Sequence, residues 1–362
     1  MKEKKTILHI AHDLGRGGAE TILVTTVREL KEYRNVVVTF KDVNDFGDEF
    51  TCDAYICLHV KHPLLFPLYA LKLRRIIRQQ KVDIVHSRLF WATLTARLGT
   101  PKRIPLVTTI HAYIASSLEY KKWFIRWLDK ITYRWRNTIM MADSKGALDE
   151  YFSFLQLKPY KAISPYTFVD IRKFAHVVRP QRQPGQPIRL ISVGRLTLQK
   201  NHRYLVEAFE HLKGHPISVD IYGMNVLYDE LKELIAQKQV AVRLMGQVTN
   251  IEAIIPQYDI FVMPSLYEGF SLAVLEAMAM GMPLMLSDIA SFREQCADTA
   301  LYFNLDNPAD FAAQLLQLSD NPQQLEQMGQ AAKTRVLQHF TLTHHMQVVR
   351  QVYADALQQT NT

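Results

Sequence analysis

Short apolar segments alternate with helix-like segments along the whole chain, and this alternation limits the possible folds more than any other feature. Strands are expected near 6–11, 36–40, 54–58, 83–86, 106–110 and 138–142, and again near 188–193, 218–222, 242–245, 260–263 and 284–286. Such alternation argues for α/β architecture with two parallel sheets. After residue 305 the pattern turns helical, over about 308–319, 322–338 and 343–358. Residues 176–187 hold Pro180, Pro184, Gly185 and Pro187 and read as a linker. The expected layout is therefore a Rossmann-like domain at 1–175, the linker, a second Rossmann-like domain at 188–342, and a final helix at 343–362. A chain of 362 residues is long enough for two such cores.

An apolar fraction of 48% and a charged fraction of 22% fit a soluble enzyme. No apolar run reaches the roughly 18–20 residues that a membrane-spanning helix needs. The apolar run near the N-terminus is too short for a signal peptide and is soon followed by Asp13. Cys52, Cys57 and Cys296 have no metal-ligand spacing and form no even disulfide set, so a reduced, cytoplasmic protein is expected. The charge is uneven. Up to residue 175 there are 29 Lys and Arg against 17 Asp and Glu (+12), and beyond it 14 against 18 (−4). The basic half should face something anionic, such as a membrane surface or a phosphorylated acceptor. No nucleic-acid-binding module pattern is present, so nucleic acid is not expected as a partner.

The richest segment for chemistry is Tyr267-Glu268-Gly269-Phe270-Ser271-Leu272, which continues to Glu276. It follows the apolar run Ile260-Phe261-Val262-Met263, which Pro264 and Ser265 end. Strand, glycine turn and helix in this order aim free backbone N–H groups at an anion. Glu268 and Glu276 lie eight positions apart, and an ionised carboxylate accepts hydrogen bonds from hydroxyls. A phosphate beside two hydroxyl-gripping carboxylates describes a nucleotide sugar. Arg195 and Lys200 follow the strand that ends at Gly194, where parallel sheets bind ligands, and are placed to neutralise a diphosphate. Gly17 and Gly18 stand between the first strand and a helix, in a turn that does not fit G-x-G-x-x-G. His111 stands at the end of the 106–110 strand, and His86 and Ser144 stand at similar strand ends.

The run Glu268-Gly-Phe-Ser-Leu with Glu276-Ala-Met-Ala-x-Gly281-x-Pro283 resembles the E-x7-E element of the retaining, family-4 glycosyltransferases of the GT-B fold. Gly194-Arg195-x4-Lys200-Asn201 and Gly17-Gly18-x-Glu20 resemble further elements of the same family. The resemblance implies two Rossmann-like domains facing each other across a cleft, with a C-terminal helix crossing back onto the N-terminal domain. By the same resemblance the second domain takes the nucleotide sugar and the first takes the acceptor. Arg195 and Lys200 would hold the donor phosphates, together with N–H groups near Gly269, Phe270, Ser271 and Leu272. Glu268 would position the sugar, Glu276 the ribose, and His111 would lie near the donor sugar. Gly17 and Gly18 would line the cleft opposite the phosphates.

The implied reaction is retaining hexosyl transfer from a nucleoside diphosphate sugar, UDP-hexose by frequency in the family, to a hydroxyl of a glycan or lipid-linked acceptor. That reading places the chain in cell-surface polysaccharide or lipopolysaccharide synthesis, peripheral on the inner face of the plasma membrane. No D-x-D motif is present, so neither a metal nor a cofactor is expected. The chain departs from the family at Ile163-Ser164-Pro165-Tyr166 and at Gly223-Met224-Asn225, where relatives carry Ile-x-Asn-Gly and G-x-G. A glycosyl phosphorylase, a nucleotide-sugar epimerase and a non-catalytic nucleotide-sugar-binding subunit are the alternatives on the same fold.

One further segment belongs to this chain in particular. Residues 120–136 carry Trp123, Trp127 and Trp135 among basic residues, with Asp129 the one acid. At helical spacing Phe124, Trp127, Leu128 and Ile131 form an apolar face, while Lys122, Arg126 and Lys130 recur every four positions. Such a helix suits an anionic membrane interface, or else a core contact with a solvated basic side.

Overall fold

The structure is a computed structural model that describes residues 4–111, 113–115, 117, 119–174, 177, 179–180 and 185–358. Much of the expected linker, at 176, 178 and 181–184, lies outside the described residues. Two compact units result. One runs up to Thr167 and resumes at Thr343; the other is Phe168–Leu342.

The strands of the first unit are β1 (Thr6–Ala11), β2 (Arg34–Thr39), β3 (Ala54–Cys57), β4 (Ile84–Arg88), β5 (Leu106–Ile110), β6 (Ile139–Ala142) and β7 (Lys161–Ile163). They form one parallel sheet in the order β3-β2-β1-β4-β5-β6-β7. Every residue of β1 and β4 is buried, as helices on both faces of a parallel sheet require. Alternate side chains feed opposite layers. Val36 and Val38 pack with Leu73 and Ile77, whereas Val37 packs with Leu23 and Val27. The helices are α1 (Gly18–Glu29), α2 (Phe66–Gln79), α3 (Phe90–Gly99), α4 (Trp123–Arg134) and α5 (Lys145–Leu155). Helices α2 and α3 pack so closely that a Cβ on Gly99 would lie 2.6 Å from the Ala70 carbonyl oxygen.

The core face of α4 is not the one expected. Ile125, Asp129, Thr132 and Tyr133 are buried, while Trp123 and Trp127 are exposed. Asp129 causes the rotation. It pairs inside the unit with the Arg97 guanidinium and accepts hydrogen bonds from the Tyr120 and Tyr151 hydroxyls. A buried carboxylate needs such partners, and they fix which side of α4 faces inward.

The second unit holds β8 (Ile188–Val193), β9 (Ile217–Tyr222), β10 (Val242–Gly246), β11 (Ile260–Met263), β12 (Leu284–Ser287) and β13 (Leu301–Phe303), parallel in the order β10-β9-β8-β11-β12-β13. Its helices are α6 (Arg203–Ala208), α7 (Tyr228–Lys238), α8 (Ile251–Ile254), α9 (Leu272–Ala279), α10 (Ala290–Cys296), α11 (Pro308–Ser319) and α12 (Pro322–His339). The last helix, α13 (Leu342–Gln358), packs on the first unit from Thr343 onward. There the Tyr353 hydroxyl meets His86 at 2.6 Å, and Arg350 pairs with Glu32 at 2.6 Å. The two parallel sheets and the returning helix agree with the expected fold class. Among the described residues, no helix is long and apolar enough to cross a membrane.

Candidate functional site

In each sheet the strand order reverses once, between β1 and β4 in the first unit and between β8 and β11 in the second. Ligands of doubly wound sheets bind in the crevice at such reversals, outside the carboxyl ends of the strands. In the second unit the two turns at the reversal are Gly194–Asn201, after β8, and the Pro264–Ser271 turn, after β11. They are joined along their length. Leu266 N–H donates to the Gln199 carbonyl at 2.8 Å, and the Gln199 amide donates to the Tyr267 carbonyl at 3.0 Å. Lys200 Nζ then donates to Glu268 Oε1 at 2.7 Å, and Ser265 Oγ donates to the same oxygen at 2.7 Å.

This pair is nearly out of solvent, with 15% and 7% of the two side chains exposed. The stem of Lys200 lies against Gly194, where a Cβ would stand 3.2–3.5 Å from three of its carbons. Gly194 is crowded from the other side by Gly223, at the end of β9. A Cβ at Gly223 would fall 1.9 Å from the Gly194 carbonyl oxygen, and its φ of +153° is open to glycine alone. Gly223 therefore fixes the height of the Arg195–Lys200 turn. Arg195 itself is exposed and has no carboxylate partner among the described residues.

Helix α9 begins where the glutamate turn ends. Its N-cap residue, Ser271, makes no side-chain cap, and its buried Oγ has no partner among the described residues. The fully buried Gln295 holds Ser271 from outside the turn. Ser271 N–H donates to Gln295 Oε1 at 3.1 Å, and Gln295 Nε2 donates to the Ser271 carbonyl at 2.9 Å. One of the N–H groups expected to face an anion is thus already engaged, which leaves the first-turn donors of α9 from Leu272 onward. Gly269 is buried and Phe270 packs its ring on Phe340, with centroids 5.1 Å apart. Both shape the turn from inside. Glu276, on α9, is half-buried and makes no ion pair among the described residues. Burial raises its carboxyl to about 7, against the pull of Lys173 and with a smaller push from Glu252. A carboxylate so placed gains from any hydroxyl donors a ligand brings.

In the first unit Gly17 caps α1 in an extended conformation without a side-chain cap, and Gly18 is the first helical residue. His111 follows β5. Its Nδ1 lies 3.0 Å from Asp143 Oδ2, at the end of β6, and its buried Nε2 has no partner among the described residues. A carboxylate accepts only, so Nδ1 carries the proton and Nε2 is left for a ligand. The ring lines a cavity of about 120 Å³ together with Phe90, Ile114, Tyr120 and Asp129. His86 and Ser144 have structural roles instead. His86 is held between Tyr353 and Thr109, at 2.6 and 2.7 Å, and Ser144 Oγ caps α5 by accepting from Ala147 N–H at 3.1 Å.

Four residues enter the site that motif reading passes over. Ser265 and Gln295 brace the second-unit turn, and Asp143 orients His111. Arg88 ends β4 at the first-unit reversal and is buried. Its Nε has no partner among the described residues, while Nη1 lies 3.3 Å from His9 Nδ1. Asp143 and Arg88 could have been found as polar residues at the carboxyl ends of apolar strands. Gln295 carries no such signal.

Residues 176–335 match the family described as Glycosyl transferases group 1, and residues 16–152 match Glycosyltransferase Family 4. A UDP-Gal:alpha-D-GlcNAc-diphosphoundecaprenol alpha-1,3-galactosyltransferase of Escherichia coli is 24% identical over 79% of this chain and 78% of its own. A diphospho-undecaprenol 4-alpha-N-acetylgalactosaminyltransferase of Campylobacter jejuni is 24% identical over 90% and 93%. The fold is close to that of a Rickettsia africae glycosyltransferase (TM-score 0.81, 19% identity, 98% and 99% covered). It is equally close to that of the Anabaena HepE protein solved with UDP and glucose (TM-score 0.80, 16% identity, 96% and 99% covered).

Proposed function

The chain belongs to the family-4 glycosyltransferases of the GT-B fold, and from that premise we propose that it transfers a hexosyl group from UDP-hexose to a hydroxyl of a lipid-linked glycan, with retention at the anomeric carbon. The observation that carries the reading is the Lys200–Glu268 pair at the β8/β11 reversal. It sets a cation for phosphate and a carboxylate for sugar hydroxyls side by side, ahead of a helix N-terminus. As the bond from the anomeric carbon to the phosphate breaks, negative charge grows on the diphosphate. Arg195, Lys200 and the first N–H groups of α9 stabilise it, the kind of term that usually contributes most to catalysis. Glu268 accepts hydrogen bonds from the sugar and Glu276 from the ribose. In the first unit His111 Nε2 meets a substrate hydroxyl, and Gly17 and Gly18 let the backbone at the α1 N-terminus approach it closely.

The acceptor class is supported by the two relatives named for diphosphoundecaprenol-linked substrates, and the donor by the UDP in the Anabaena structure. In this reading the first domain, 1–175, takes the acceptor, 188–342 takes the donor, and the protein works on the cytoplasmic face of the plasma membrane. A thermal-shift screen against UDP-, GDP- and ADP-hexoses tests the donor, because a ligand that binds only the folded state raises its stability. A UDP-hexose should raise Tm most. A larger rise with a GDP- or ADP-sugar overturns the UDP assignment, and the anomeric configuration of the product, read by NMR, decides retention.

A further inference from the structure

Six of the exposed large apolar side chains lie on two helices of the first unit and on the turn that leads into one of them. Leu64, Leu65, Leu68 and Leu71 are 53%, 43%, 58% and 67% exposed, and Trp123 and Trp127 are 70% and 54% exposed. Helix α2 thus has two apolar sides. Tyr69, Ala70, Leu73 and Ile77 face the core, while Leu68 and Leu71 point outward with Lys72 and Arg75 at helical spacing. An amphipathic helix already docked on a sheet has no use for a second apolar stripe, and contiguous exposed apolar surface marks an interaction site.

Helices α2 and α4 are neighbours of the same helix, α3. Phe66, Trp91, Phe124 and Leu128 all lie against one core cluster, with Phe66 and Trp91 rings 6.3 Å apart. Because α2 follows β3 and α4 follows β5 in a parallel sheet, both helices start at the carboxyl ends of the strands, the end that carries Gly17 and His111. Further along α2 the surface turns basic. Arg74, Arg75, Arg78, Lys81, Lys102 and Arg103 line an open groove of about 1040 Å³, and none of them forms an ion pair among the described residues. Lys121, Lys122 and Arg126 flank the tryptophans of α4 and are exposed.

We propose that α2 is the element that docks this protein on an anionic bilayer, its outward leucines and the α4 tryptophans entering the interface while the arginine groove takes lipid phosphates. Leucine and tryptophan beside arginine is the composition of an in-plane interfacial helix. Charge complementarity selects the occupant, since an acid-free groove of six cations beside aliphatic side chains suits headgroup phosphates above acyl chains. This deepens the acceptor reading above and rests on it only for what the lipid carries. Membrane docking is measured without donor, so either reading can fail alone.

The test is co-sedimentation of the full chain with vesicles of phosphatidylcholine alone and with about a third phosphatidylglycerol. Binding should need the anionic lipid and weaken as salt rises. Leu68→Ser with Leu71→Ser should cut the partition coefficient at least about tenfold, since each buried leucine contributes to insertion. Arg74→Ser with Arg75→Ser and Arg78→Ser should remove most of the salt-sensitive part. Both variants replace exposed residues, so an unchanged Tm confirms that loss of binding is not loss of fold. Leucine variants that bind like wild type overturn the assignment to α2. Equal binding to both vesicles, or to neither, overturns the membrane and leaves this face to a protein partner.

Discussion

The two sheets reverse at equivalent places but fill the crevice there differently. In the second unit the turns after β8 and β11 carry an ion pair, Lys200–Glu268, and the exposed Arg195. In the first unit the corresponding place is packed with His9, His86 and Arg88, all buried, under α13 with its own buried His345 and Tyr353. One crevice is arranged for a charged ligand; in the other His9 is bonded to Asn35 and Arg88, and His86 holds the last helix through Tyr353. Equivalent topology fixes where a site can be, while side chains decide what kind of group that place can take.

The comparison can be broken first through acid stability, where the largest effect is expected. Burial, with help from Arg88, lowers His9 to about 3, burial lowers His345 to about 4, and His86 is held well below its usual value for the same reason. These rings stay neutral in the folded chain but take up a proton near pH 6.5 when unfolded. Stability is therefore full above pH 6.5 and falls as pH drops from there towards about 4. At pH 5 His9 and His345 each contribute a loss of about 2 kcal/mol, and His86 adds to it in the same direction. Among the described residues the second unit holds one such histidine, His202, lowered to about 3 by burial and then by Lys200. All four tryptophans lie in the first unit, so urea unfolding followed by tryptophan fluorescence reports on it. An unchanged midpoint between pH 7 and pH 5 would contradict the packed-histidine account.

Next comes the ion pair. Lys200→Ala should lower kcat/KM for sugar transfer about a hundredfold or more, about 2.7 kcal/mol, as it removes a cation where charge develops. Glu268→Gln, which keeps the shape, should lower turnover more than affinity for free UDP. If Glu268→Gln loses mainly UDP affinity, the carboxylate serves the nucleotide and the two glutamates exchange roles.

A tenfold effect is expected at Glu276. With its carboxyl near 7, the ionised form that ribose hydroxyls need is scarce at pH 6 and dominant at pH 8. Uridine affinity should rise about tenfold across that interval, and Glu276→Gln should abolish the rise. A flat profile in the wild type removes Glu276 from ribose binding. The smallest effect is expected at Gln295. Gln295→Val leaves a buried Ser271 N–H without its acceptor, at a cost of about 1–3 kcal/mol, part of it in local order of the turn. UDP affinity should fall several-fold while uridine affinity holds. Equal losses for both ligands would make Gln295 a general support of the unit and not of its phosphate turn.

What could be read in the sequence follows the range of each contact. Strands β1, β5, β8 and β11 fall where the apolar runs place them, and α11 to α13 where the helical pattern does. Strands β7 and β13 pass unseen because each is three residues at a sheet edge, too short to show a pattern. The glutamate turn is legible because strand, turn and helix adjoin in the chain. Its pairing with Lys200 spans 68 positions, and its brace at Gln295 comes from another helix, so neither leaves a local trace. The face of α4 was hidden for the same reason. An acid among basic residues reads as solvated until Arg97, Tyr120 and Tyr151 are known to surround it.

The central claim, that the β8/β11 reversal of the second unit holds a nucleoside diphosphate through Lys200, is tested most directly by phosphorus NMR of UDP titrated with protein. Both phosphorus resonances should shift with wild-type protein, and Lys200→Ala should remove most of the shift. Full shifts with Lys200→Ala, or none with folded wild type, would contradict it.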